Sequence, residues 1–117
     1  MSGADVIGTA ESPPPVNRHR GEVGAVIDGC PQTLCLTLRS LAELEDAFGV
    51  DDLGALSQRF AKGVSATDVA TIIAAGLRGS GADVSADSVA AMRFEGGAAG
   101  AAQLCTDLLN ATFGGER

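Results

Sequence analysis

The chain has no tryptophan and no tyrosine, and only four phenylalanines in 117 residues. Large aromatic anchors are therefore scarce. A core must be assembled from Leu, Val, Ile and Ala through many small contacts, which gives modest stability that a bound partner would increase. Basic residues are also few. Eight Lys and Arg against fifteen Asp and Glu leave a net charge of −7. Phosphate neutralisation needs clustered cations, so this balance argues against a nucleic-acid surface. The one local basic cluster, Arg18-His19-Arg20, reads as a solvated entry to the first strand. No apolar run approaches the roughly 20 residues that span a bilayer. The N-terminus lacks the basic start and continuous apolar stretch of a secretory signal. Three cysteines, an odd number, suit a reducing cytoplasmic compartment better than a disulfide framework.

Catalytic and metal-binding patterns are missing as well. A structural zinc site wants four ligands at short spacings. Here Cys30, Cys35, Cys105 and His19 do not supply that pattern, and Cys105 reads as a small buried helix residue. A cysteine nucleophile needs an oriented base, and the only histidine adjoins the N-terminal segment. The acidic residues Glu43, Glu45, Asp46, Asp51 and Asp52 match no calcium loop. Gly96-Gly97-Ala98-Ala99-Gly100 lacks the Gly-Lys-Ser/Thr of a phosphate loop, and reads as a site of close helix packing or a hinge. No catalytic residue, cofactor motif or metal site is assigned.

What is present is a pattern of short elements. Residues 1–17 carry Pro13-Pro14-Pro15 and read as a disordered leader, followed by a single domain over residues 18–117. Within His19–Gly49, Val23, Ala25 and Ile27 alternate along a strand predicted over Glu22–Ile27. Asp28-Gly29 opens a hairpin turn, and Pro31 is expected to delay the return strand to Thr33–Leu38, with Leu34, Leu36 and Leu38 on one face. A hairpin alone is marginal in water, so that face needs a cover of helices.

Ser40 and Glu43 have capping-box spacing and predict a first helix ending at Gly49, with Leu41, Leu44 and Phe48 inward. A second helix is predicted over Asp52–Lys62, with Leu53, Leu56 and Phe60 on one stripe. Ser65 caps a third, carrying Val69, Ile72, Ile73 and Leu77, which is the most apolar segment and the expected central helix. Ser85 caps a short fourth helix with Val89 and Met92. A last helix runs from about Ala98 to Phe113, with Ala101, Leu104, Cys105, Leu108, Leu109 and Phe113 inward. The predicted fold is α+β: an N-terminal β-hairpin packed on a bundle of four to five short helices.

Four segments carry a family resemblance: HRGEV at His19–Val23, LTLRSLAELEDAFG at Leu36–Gly49, IIAAGLRGSG at Ile72–Gly81 and GGAAGAAQLCTDLLNATFG at Gly96–Gly114. From Arg18 onward the chain resembles a family of small proteins of phage-like gene transfer agents, whose members are described as tail tube proteins or tail assembly chaperones. The resemblance implies a non-catalytic, cytoplasmic tail assembly chaperone. Such a protein binds the tape-measure protein, keeps it soluble and helps tail tube subunits assemble around it. The alternative it implies is a structural tail tube component retained in the particle. A redox role for Cys30 or Cys35 is a third, unrelated reading. The implied partners are the tape-measure protein and tail tube subunits, with self-association left open. The resemblance carries no fixed set of functional residues. Val26 and Cys35, on the hairpin face turned from the leucines, are the candidate partner-binding positions.

Overall fold

The computed structural model describes residues 21–113. The leader assigned to residues 1–17 and the Arg18-His19-Arg20 cluster lie outside the described residues. The described elements are strands β1 (Glu22–Ile27) and β2 (Cys30–Cys35), followed by helices α1 (Leu38–Phe48), α2 (Leu53–Ala61), α3 (Ala66–Gly79), α4 (Ala86–Ala90) and α5 (Gly97–Phe113). The α+β architecture expected from the sequence is the one observed, with an antiparallel hairpin lying on helices.

The hairpin turns over two residues, Asp28 and Gly29, both at positive φ (53° and 77°). That geometry matches the twist of the flanking strands. It also resumes β2 at Cys30, earlier than the sequence suggested. Pro31 is tolerated because of register. The pair beside a two-residue turn, Ile27 and Cys30, exchanges hydrogen bonds, so the next pair, Val26 and Pro31, directs its backbone groups to the sheet edges. A missing N–H at such a position costs no ladder bond and blunts the edge. The opposite edge, on β1, is capped near the turn. Ile27 bridges to Phe94, with Asp28 N donating to Arg93 O (2.7 Å) and Glu95 N donating to Val26 O (3.2 Å).

The strand-to-helix junction departs from the sequence reading. β2 ends at Cys35, and Thr37, not Ser40, is the N-cap of the first helix. The Thr37 hydroxyl accepts from Ser40 N (3.1 Å). Ser40 is 3% exposed, and its Oγ donates to Ala75 O on α3 (3.2 Å). Glu43 is not a capping-box partner either; it pairs with Arg78 of α3 at 2.9 Å. Starting the helix earlier turns Ser40, Leu41 and Leu44 toward the core. It also removes Leu38 from the predicted leucine face. Leu34 and Leu36 are buried, but Leu38 stands 80% exposed on the first turn of α1.

The first helix stops at its expected glycine. Gly49 ends α1 at φ 66°, with its N–H returned to the last turn. α2 is capped by Asp52, whose carboxylate accepts from Ala55 N (2.7 Å). Leu56 and Phe60 of α2 are buried, but Leu53 is 41% exposed and does not join their stripe. The Phe48 ring meets Phe60 edge-on at 5.2 Å, and the Arg59 guanidinium lies 5.2 Å from the Phe48 centroid. Arg59 also pairs with Asp68 at 3.0 Å, so one short contact chain ties α1, α2 and α3 together.

α3 is the central helix, as expected. A true capping box, Ser65 with Asp68, opens it, and Ile72 to Leu77 are all buried. Its glycines permit close approach. A Cβ at Gly76 would come within 2.7 Å of Leu108 Cδ2 and 3.3 Å of Leu34 Cβ, while one at Gly79 would run into the Cys35 carbonyl oxygen. α3 thus lies directly on β2 and α5. α4 is a single short turn carrying buried Val89; Met92, expected within it, falls after its end and is half-buried. Gly96 and Gly97, at φ 86° and 67°, turn the chain into α5. Ala101, Leu104, Cys105 and Leu108 of α5 complete the core, with Leu109 and Phe113 packed at its margin.

Candidate functional site

Among the described residues, a groove of about 660 Å³ lies between α3, α4 and α5. Its volume lies within the range of ligand sites, about 300–1,000 Å³. One wall is the N-terminal half of α3, from Ala66 through Val69 and Ala70 to Ile73. The other is the first turns of α5, where Ala98, Ala101 and Ala102 leave room that larger side chains would fill. Val89, Met92 and Phe94 form the floor and one end. Arg93 is the one charged residue among the described residues lining it. The Arg93 backbone is held by Asp28, whose Oδ1 accepts from Arg93 N at 2.8 Å, and its guanidinium makes no ion pair among the described residues.

The groove is lined mostly by apolar side chains. Its walls are helices whose backbone groups are largely bonded within themselves. The Ser65 hydroxyl at one end is engaged by Asp68 N (3.1 Å). Asp68 is held below the usual carboxylate range, first by the backbone N–H of Ser65 and then by Arg59, with partial burial opposing. It is therefore an anion that secures the start of α3. Two smaller depressions flank the core, one along β1 and α5 beside Gly24 and Gln103, the other between α2 and α5 beside Phe60 and Leu109.

A family model described as phage tail tube protein, GTA-gp10, matches residues 20–115. The chain belongs to this family. Nothing among curated proteins or solved structures matches it. Membership in this gene transfer agent and phage tail family gives the protein a tail-related structural role, exercised through other tail components or copies of itself.

For a member of the GTA-gp10 family, the residues singled out by sequence fall as follows. Val26 and Cys35 do share the hairpin face turned from Val23, Ile27 and Leu34, but at opposite ends of it: Val26 faces Pro31 across the ladder and Cys35 faces Glu22. Both are half-buried. Neither lines the large groove. Cys30 is exposed at the turn, Cys35 is intermediate, and Cys105 is buried, with its thiol pushed up to about 11 first by desolvation and then by the charge of Asp68. Cys105 therefore stays a neutral core residue. Among the described residues no group of three or more His, Cys, Asp or Glu is placed to hold a metal ion. No described helix is long and apolar enough to cross a membrane. The position of the groove was not located from sequence, where the alanine-rich helices read only as low-relief faces able to seat a partner helix. Its walls are alanines some thirty positions apart.

Proposed function

We propose that this protein is a non-catalytic tail assembly chaperone that binds the tape-measure protein in the bacterial cytoplasm and promotes tail tube assembly around it. The observation that carries the reading is the open apolar groove between α3, α4 and α5 on an otherwise acidic chain. A chaperone needs an apolar surface for its client and a net charge that keeps the loaded complex soluble. It needs no reacting groups, and Asp68, near one end of the groove, has a helix cap and an ion pair as its tasks. Co-expression with the tape-measure protein tests the proposal. The client should co-purify with this protein and stay soluble with it; a client equally insoluble with and without it would refute the reading.

A second reading, a tail tube component retained in the finished particle, is favoured by the family's own description. Against it stands the supply of pairing edges. The described residues form one short hairpin, with Pro31 on one edge and Phe94 bridging the other, which suits strand-to-strand wall building poorly. Stoichiometric recovery from purified particles would favour this second reading.

A further inference from the structure

The groove constrains what can occupy it. Its walls are the sides of α3 and α5, which present side chains and few unpaired backbone groups. An extended peptide laid there would bury N–H and C=O groups without partners, each at a cost of about 1–3 kcal/mol. An occupant that satisfies its own backbone, a helix, avoids that cost. The α3 wall runs from Ala66 to Ile73, about 10 Å at helical rise, which matches roughly two turns of a helix lying along it. The small wall residues Ala66, Ala70, Ala98 and Ala101 leave depth that leucine- or isoleucine-sized side chains fill.

Charge fixes a further feature. Arg93 lies at the end of the groove where the chain enters α5, and the N-terminal end of the α5 dipole adds positive potential there. The chain as a whole is acidic, and Arg93 is the one cation among the groove's lining residues, with the Asp28 carboxylate held at its backbone N–H rather than at its guanidinium. Among the described cations, Arg59 and Arg78 are engaged by Asp68 and Glu43; Arg93, like Arg39 and Lys62, makes no ion pair among the described residues, and of these three it is the one that lines the groove.

We propose that the α3–α4–α5 groove seats about two turns of an amphipathic helix from the client, with aliphatic side chains against the alanine walls and an acidic residue at Arg93. This rests on the client-binding reading above and names the surface and the chemistry that serve it. The anchors of such a helix recur at i, i+3 or i+4, and i+7.

The test uses the full chain and synthetic amphipathic peptides of about 14 residues, long enough to hold a helix when bound. One peptide carries a glutamate beside its leucine stripe; its twin carries lysine there. Fluorescence anisotropy should show the glutamate peptide binding about tenfold more tightly than the lysine peptide. Arg93→Glu should reverse that order. Ala98→Trp, at an exposed wall position, should abolish binding of both while circular dichroism reports an unchanged fold. No binding by either peptide, or a preference indifferent to Arg93→Glu, would overturn the proposal. Pull-down of the tape-measure protein separates it from the broader reading. Equal capture by wild type, Arg93→Glu and Ala98→Trp sinks the groove and spares the chaperone. Charge-dependent peptide binding without tape-measure capture sinks the chaperone and spares the groove.

Discussion

Replacing Gly79 by alanine is the sharpest probe of the packing that shapes the molecule. Gly79 is the last residue of α3, where that helix passes the end of β2. A Cβ there would collide with the Cys35 carbonyl oxygen and come within 2.9 Å of Ser40 Oγ and 3.0 Å of the Cys35 carbonyl carbon. Two of these atoms are backbone and cannot rotate away, and Ser40 is committed to Ala75 O. Relief therefore requires α3 to move off the hairpin. Overpacking of this kind costs about 1–3 kcal/mol. The helix-propensity gain of alanine, at most about 1 kcal/mol, is reduced at a terminal position. A net loss of about 2 kcal/mol follows, a fall in urea midpoint of about 1 M. Gly76→Ala is the control. Its nearest contact is the mobile end of Leu108, and it sits mid-helix where alanine gains most, so its loss should stay within about 1 kcal/mol. Urea unfolding followed by far-ultraviolet circular dichroism reads both. A Gly79→Ala protein as stable as wild type would refute the close crossing of α3 over β2.

Thr37→Ala should cost about 1 kcal/mol in the same unfolding assay through loss of the α1 cap, whereas Glu43→Gln, which breaks a half-exposed ion pair, should be near neutral. Because the Asp68 carboxyl is depressed in the folded state, its contribution is present above its unfolded value near 3.8 and lost as the pH falls through the lower folded value; Asp68→Asn should be less stable at neutral pH and should flatten that acid limb of the stability–pH curve. The Cys105 thiol shifts the other way, from 9.0 to about 11. Its contribution is intact below pH 9 and declines from there through about pH 11, a slope that Cys105→Ala should remove when alkaline unfolding is followed by circular dichroism.

Features set by local rules were legible in the sequence. The alternation of Val23, Ala25 and Ile27 placed β1, and Asp52 and Ser65 placed the starts of α2 and α3. The α3 segment announced itself as the core helix through its run of Ile72, Ile73 and Leu77. What was not legible depended on tertiary partners. Thr37 and Ser40 can both cap a helix, and the choice fell to Thr37 while the Ser40 hydroxyl is bonded to a carbonyl on α3. Leu38 fitted a leucine face by period, but the helix began before it could join. Pro31 read as a breaker because its register against Val26 was unknown. The groove was hidden for a related reason. Alanine carries little pattern of its own, and only the packing of α3 beside α5 turns Ala66, Ala70, Ala98 and Ala101 into two walls.

The most direct test of the account is the abundance of this protein along the course of tail assembly. Quantitative mass spectrometry of tape-measure complexes isolated before tube completion, and of finished particles, should find it bound in the first and depleted from the second. Absence from the early complexes together with stoichiometric presence in finished particles would contradict the chaperone account and leave a retained tube component in its place.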